Sequence, residues 1–253
     1  MEVMETIPDN SIDAVIADLP ISSTFRLRWD LVIPFMQMWE SLNRIGRKGC
    51  PFVLMTRQPQ TSFLILSNKR KFRYCWVFER SIASVGARLK TEPFQKHEDI
   101  CVFGEKTDAY HPQMIKKDDF SYDASAGVVD PISGTSTIWG ERPSYPSSVL
   151  RFSNTYAGRH PSLAREKPLK LMRFLLRTYT KRGDTVLDFC MGGGSTIVAA
   201  KTMGRHSIGI EIEKRKFERA EIRVRNAEQG ATDDQNEGPH IERFALTPKG
   251  SSR

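Results

Sequence analysis

A chain of 253 residues, 39% of them hydrophobic, is long enough for one large α/β domain carrying an insertion. Its net charge of +8 and isoelectric point near 9.4 favour a polyanionic partner, although such a charge is also common on proteins that never touch nucleic acid. No signal peptide opens the chain and no apolar run approaches a membrane span; Cys50, Cys75, Cys101 and Cys190 lack C-x-x-C spacing, so reduced, buried thiols, a cytoplasmic location and no metal site are expected.

Taken in order, Val3–Pro8 reads as the end of a helix and Ser11–Ala17 (S-I-D-A-V-I-A) as a strand. The strand stops at Asp18-Leu19-Pro20-Ile21, and an acid at the carboxyl end of a parallel strand lies where open α/β sheets place their sites. The loop Ser22–Asp30 mixes two arginines with two aromatics. It suits phosphate contact and base stacking, and equally a plain surface loop with Trp29 buried. Helical spacing of Ile33, Met36, Trp39, Leu42 and Ile45 predicts a helix over Val32–Ile45. A strand over Pro51–Thr56, a helix over Gln60–Lys69 and strands over Tyr74–Glu79 and Glu98–Phe103 follow. The β-α-β-α-β order predicts an α/β fold with a doubly wound, mostly parallel sheet.

From Gly104 to Gly158 the chain is rich in Ser, Pro, Asp, Gly and Tyr, with no sustained period. A stretch this long inside a compact domain points to an inserted functional module. Lys106, Lys116, Lys117, Arg142 and Arg151 are its candidate phosphate contacts. A helix over Leu169–Thr180 then leads to the segment Asp184–Ala200. There Thr185–Phe189 is a short buried strand, Gly192, Gly193 and Gly194 form an open turn, and Ser195 is positioned to cap a helix from Thr196 to about Gly204. Strand, glycine turn and helix N-terminus together make a site for a polar or anionic cofactor.

A dinucleotide fold would want G-x-G-x-x-G near the start of its domain, but Ile197 holds the third glycine position. A phosphate loop would want a lysine that is absent, and Asp188 would repel a phosphate. Asp188 suits an ammonium group instead, and Glu211, ending a second strand Ser207–Glu211, is placed for two ribose hydroxyls. These features suggest S-adenosylmethionine; an ordinary strand-turn-helix with structural glycines is the plainer alternative. A charged helix runs from Glu213 to about Arg225, and Asn226–Arg253 reads as a disordered tail.

The motifs I-P-D-N-S-I-D-A-V-I-A-D-L-P (7–20), W-D-x-V-I-P-F (29–35), Q-P-x-T-S (58–62), K-H-E-D-I-C-V-F (96–103) and Y-H-P-Q-M (110–114) come in this order. They continue with Y-P-S-S-V-L-R-F (145–152), H-P-S (160–162), K-P (167–168), G-D-T-V-L-D-F-x-M-G-x-G-S-T (183–196) and I-G-I-E (208–211). In this set and order the chain resembles the amino-directed DNA methyltransferases whose catalytic motif precedes the cofactor motif, and within them a phage and prophage subgroup reading D-L-P-Y.

The resemblance implies a Rossmann-like S-adenosylmethionine-dependent fold over residues 1–225, with 104–158 as an inserted target-recognition region. It implies methyl transfer to the exocyclic amino group of a flipped base in double-stranded DNA, adenine ahead of cytosine. Asp18 and the Leu19 carbonyl would accept the amino hydrogens, Pro20 would stiffen the turn, and Ile21 stands where the family stacks an aromatic ring. Asp188, Phe189, Gly192, Gly193, Gly194, Ser195, Thr196 and Glu211 would hold the cofactor, with Ser162 and Lys167 from the segment resembling H-P-T-Q-K-P. That segment is three residues longer here, and relatives carry an earlier strand ahead of Met1. With Ile21, these departures keep a second reading open: a DNA- or cofactor-binding relative with little catalysis. Methylation of RNA or protein is a weaker third, and the oligomeric state is open, a homodimer included.

Overall fold

The computed structural model describes residues 2–20, 33–84, 91, 93, 95–105, 109–114, 128–129, 136–137, 145–152, 166–227 and 242–246. Ile21, Ser162, the loop 22–30, Lys106, Lys116, Lys117 and Arg142 lie outside them.

Five elements carry the centre of the sheet. β1 (Ala14–Asp18), β2 (Phe52–Thr56), β8 (Thr185–Asp188) and β9 (His206–Glu211) run parallel in the order β9-β8-β1-β2, and β4 (Gln95–Phe103) lies antiparallel beside β2. β1 and β2 are near-continuous apolar runs because both faces of the sheet are covered. β3 (Phe72–Ser84) pairs antiparallel with β4, and β7 (Val149–Phe152) closes that flank parallel to β3. With β10 (Glu242–Leu246) beside β9, the full order is β10-β9-β8-β1-β2-β4-β3-β7. β5 (Val128–Val129) and β6 (Ser136–Thr137) form a separate two-stranded ladder.

The helices cover both faces. α1 (Glu2–Glu5), α2 (Phe35–Ile45) and α3 (Gln60–Ser67) belong to the first half, and α4 (Leu169–Tyr179), α5 (Ser195–Thr202) and α6 (Lys214–Arg225) to the second. One core cluster joins Trp39, Leu42 and Ile45 of α2 to Val15, Leu54 and Phe103. Another joins Leu171, Leu175 and Tyr179 of α4 to Ile16, Val53 and Trp76 on the other face. The doubly wound, mostly parallel sheet expected from the sequence is the observed architecture.

Four details differ from the sequence reading. Met36 is 78% exposed: the helix starts at Phe35, so its buried stripe is Met38, Trp39, Leu42 and Ile45. Ser195 does not cap α5; the cap position is Gly194, at φ 77°, and the serine hydroxyl is the first residue inside the helix. Val149–Phe152, read as part of the insertion, is a strand of the main sheet because it finds the open edge of β3 at Val77–Arg80. Glu242–Leu246, read within a disordered tail, is likewise a strand, registered residue for residue on the free edge of β9. No helix among the described residues is long and apolar enough to cross a membrane.

Candidate functional site

Three carboxylates converge at the carboxyl ends of three neighbouring strands: Asp18 on β1, Asp188 on β8 and Glu211 on β9. This is the rim where open α/β sheets bind ligands, since the loops leave the strands there without crossing the core. Asp188 is repelled by both of the other two.

Asp188 is 2% exposed. The Cys190 N–H donates to its Oδ1 at 3.1 Å, and the Thr196 hydroxyl supports it from α5. These two bonds do not offset its burial, which pushes the carboxyl up to about 7. Glu211, also buried, accepts the N–H of Gly192 at 3.0 Å and of Glu213 at 2.8 Å, one on each oxygen. A carboxylate oxygen has two acceptor sites, so each keeps one for a ligand hydroxyl.

The turn between them needs its glycines. Gly192 and Gly194 have φ of 54° and 77°, in the left-handed region that L side chains avoid, and a Cβ on Gly194 would come 3.0 Å from the Ala220 Cβ. A Cβ on Gly193 would fall on the carboxylate of Glu166. That carboxylate lies across the turn: Ser195 Oγ donates to it at 3.3 Å, and Arg219 and Arg223 of α6 pair with it at 3.3 and 3.7 Å. Arg223 also donates to the Gly193 carbonyl. Phe189 is buried in the core beneath the turn.

Asp18 differs from Asp188 in having a cation. Lys167 Nζ lies 2.6 Å from its Oδ2 and 2.9 Å from Glu98 Oε2 on β4; Arg80 of β3 completes the row at 3.4 Å from Glu98 Oε1. Burial pushes the Asp18 carboxyl above the usual carboxylate range, and the Lys167 ammonium works against that. Burial pushes Lys167 down, and Asp18 and Glu98 together carry it above its ordinary value. The pair is therefore a charge-assisted hydrogen bond with the proton on lysine. Lys167 occupies Oδ2 alone, and Oδ1 has no partner among the described residues.

The segment after Asp18 is held from β2 and α3. Leu19 N–H donates to the Met55 carbonyl at 3.0 Å, and Gln60 Nε2 to the Pro20 carbonyl at 3.3 Å. The Leu19 carbonyl accepts no bond from a described residue. Thr56 Oγ1 and Gln60 Oε1, both buried, have no hydrogen-bond partner among the described residues.

Of the residues expected at the site, Asp18, Leu19 and Pro20 come together with Lys167, and Asp188, Phe189, Gly192–Gly194, Ser195, Thr196 and Glu211 form the adjoining half. Ile21 and Ser162 lie outside the described residues. Arg151, expected to contact phosphate, pairs with Glu79 at 2.7 Å. Glu98, Glu166 and Gln60 are site residues that the sequence reading missed. Only Glu98 carried a signal: an acid at the start of the strand K-H-E-D-I-C-V-F, ahead of its apolar half.

The donor set fits a ligand with a positive charge and hydroxyls: an uncompensated buried acid, a carboxylate with spare acceptor sites and an open glycine turn. Among the described residues no group of three or more His, Cys, Asp or Glu could hold a metal ion.

Residues 39–221 match the family model described as DNA methylase. Among curated proteins, the chain is 36% identical over 80 residues to the type II methyltransferase M2.DpnII of Streptococcus pneumoniae, covering 32% of this chain and 29% of that protein. It is 24% identical over 240 residues to the type II methyltransferase M.HpaI of Haemophilus parainfluenzae, covering 88% and 71%. The fold is similar to that of the M1.HpyAVI–SAM complex, with a TM-score of 0.57 and 19% identity over 88% of this chain and 94% of that one. It is also similar to the cytosine-N4-specific PvuII DNA methyltransferase, with a TM-score of 0.62 and 15% identity over 92% and 85%.

Proposed function

The chain belongs to the DNA methylase family, and from that premise we propose that it transfers the methyl group of S-adenosylmethionine to an exocyclic amino nitrogen of a flipped base in double-stranded DNA. Adenine is the first candidate base and cytosine the second. The setting is the cytoplasm of a bacterial or phage-infected cell. Region 104–158, apart from the sheet strand β7, supplies target recognition.

The observation that carries the reading is the state of Asp18: Lys167 fixes Oδ2 at 2.6 Å, while no described residue bonds to Oδ1 or to the adjacent Leu19 carbonyl. An aromatic amino nitrogen is a poor nucleophile because its lone pair is delocalised into the ring. Two acceptors set side by side draw its two hydrogens and favour the tetrahedral form whose lone pair points outward. When bound, S-adenosylmethionine supplies an electrophilic methyl carbon. Asp188 would hold its ammonium group and Glu211 its ribose hydroxyls. Gly192–Gly194 let the backbone approach closely, and Asp18 with Leu19 orients the amino group and takes up the charge it develops. The mechanism is positioning and electrostatics, with no covalent enzyme intermediate.

Ile21 brings no aromatic ring, and stacking a flipped base on a ring is worth roughly 1–3 kcal/mol. Slower transfer than in ring-bearing relatives is therefore part of this reading.

The test is tritiated methyl transfer from S-adenosylmethionine to unmodified DNA, with calorimetry of cofactor binding beside it. The wild-type chain should transfer, and Asp18→Ala should bind cofactor but lose transfer by on the order of 10²–10³-fold or more. A wild-type chain that binds cofactor and DNA but transfers nothing would leave the binding-protein reading in its place.

A further inference from the structure

The four cysteines are spread through the chain, and two of them meet. Cys75 on β3 and Cys101 on β4 stand directly opposite each other in the antiparallel ladder, with their Sγ atoms 3.4 Å apart. Residues opposed in this way have Cα atoms about 4.5–5.5 Å apart, within the span of about 4.4–6.8 Å that a disulfide bridges. Joining the sulfurs requires rotation of two side chains and no movement of either strand.

The two thiols are not equivalent. Cys101 is buried, whereas Cys75 is half-buried and lines a cavity of about 580 Å³ together with Arg73, Tyr74, Trp76 and Tyr110. This cavity follows the part of β3 that β7 leaves uncovered, because β7 pairs with β3 only from Val77 onward. Tyr74 and Trp76 point to that side; the Cys75 side chain alternates to the opposite face, packed with Cys101 and Phe103, and is half-buried there. The contact with Cys101 holds the Cys75 thiol below its ordinary value, and the same contact, with burial, drives Cys101 up. When Cys75 ionises, Cys101 is the donor between them. Cys50 and Cys190 stand apart: burial pushes Cys50 up to about 12 and Cys190 well above its ordinary value. Neither has a thiol partner among the described residues.

We infer that Cys75 and Cys101 are a peroxide-oxidised pair that closes into a cross-strand disulfide, with Cys75 attacking and Cys101 resolving. The Cys75 thiolate attacks one oxygen of hydrogen peroxide; an S–O bond forms, the O–O bond breaks, and the leaving hydroxide takes a proton to become water. The Cys101 sulfur then attacks the sulfenic sulfur. The S–S bond forms, the S–O bond breaks, and the oxygen leaves as a second water with the proton given up by Cys101. Two thiols and one hydrogen peroxide thus give one disulfide and two waters, the sulfurs oxidised and the peroxide reduced. The bond fastens β3 to β4 three residues beyond Glu98, the anchor of Lys167.

The full chain, reduced, desalted and treated with a few-fold excess of hydrogen peroxide, tests this by alkylation and non-reducing peptide mapping. Two of its four thiols should disappear together, giving a linked Cys75–Cys101 peptide two hydrogens lighter, and a phosphine reductant should restore both. In Cys101→Ser, Cys75 should stop at a sulfenic acid that dimedone traps; in Cys75→Ser, Cys101 should remain a thiol. Four free thiols after peroxide, a sulfinic Cys75 beside an intact Cys101 thiol, or a link between two chains would each overturn the inference. The wild-type map is decisive alone, so a variant that fails to fold does not weaken the test.

Discussion

The site has two halves, and they treat buried negative charge in opposite ways. On the β1 side, Asp18 has its own cation: Lys167 reaches it at 2.6 Å and is itself held by Glu98 at 2.9 Å. On the β8 and β9 side, Asp188 has backbone and hydroxyl donors but no lysine or arginine in ion-pair reach among the described residues. A buried acid that the protein neutralises is fixed in charge and direction, as a group acting on a neutral substrate must be. One left uncompensated is a vacancy for a cation brought by a ligand. Under the proposed function this difference would put the target base at one half and a cationic cofactor at the other.

The largest expected break of that contrast is Lys167→Met, which makes Asp18 as unsupported as Asp188 and leaves Glu98 with Arg80 as its remaining cation. Losing one partner of a buried ion pair costs about 3–5 kcal/mol. The lower end applies, because Asp18 keeps 35% of its side chain exposed. Removing the cation raises the Asp18 pKa further, so the acid limb of the rate profile should move to higher pH. An unchanged pH profile, with melting temperature lowered or not, would mean that Lys167 does not set the charge of Asp18.

A smaller effect should come from pH alone. Asp188 titrates near 7 in the fold and near 3.8 unfolded. The folded state holds the proton longer, so this group's contribution to stability is greatest in acid and declines as pH rises from about 4 to 7. Binding of an ammonium-bearing cofactor should follow the ionised form. Affinity measured by calorimetry should fall by up to about tenfold per pH unit below 7 and level off above it. Asp188→Asn should flatten that slope. A wild-type affinity independent of pH between 6 and 8 would detach Asp188 from the cofactor.

The smallest effect separates two neighbouring glycines of the cofactor half. Gly193→Ala displaces the far end of Glu166, a flexible group, at about 0.5–1.5 kcal/mol for the bond it loses to Ser195, while the long side chains of Arg219 and Arg223 can follow the carboxylate. Gly194→Ala must in addition hold a side chain at φ 77° against Ala220, and left-handed backbone costs about 1–2 kcal/mol by itself. Thermal melts should rank Gly194→Ala as the more destabilised, and the reverse ranking would contradict the turn described.

The cofactor half was far more legible in the sequence than the other. Asp188 and Glu211 each end a short, largely buried strand, and the glycine turn follows one of them, so composition and spacing placed them within about 25 residues of each other. The partners of Asp18 left no such trace. Lys167 is 149 positions away, and no local pattern says which acid a lysine will meet. Glu98 became an anchor only because β4 runs antiparallel between β2 and β3. Glu166 was equally hidden, since its role depends on α6 bringing Arg219 and Arg223 over the turn. Short edge strands such as Glu242–Leu246 are set by a free neighbouring edge more than by their own residues, which is why that segment read as tail.

The pairing of β1 with β8 has a consequence for synthesis. Ala14 lies beside Val186, about 170 residues later in the chain. At roughly 5–20 residues per second, the segment carrying Asp18 leaves the ribosome some 10–30 s before its neighbouring strand exists. Through that interval β1 can pair with β2, but its other edge is open and its acid lacks Lys167. Until the last third of the protein emerges, the nascent chain carries an unpaired hydrophobic strand edge at the place where the finished protein has its most buried charges. Co-translational protection by chaperones should therefore matter most for the first 60 residues, and a pulse-labelled chain arrested before Thr185 should be captured by them far more than one arrested after Glu211.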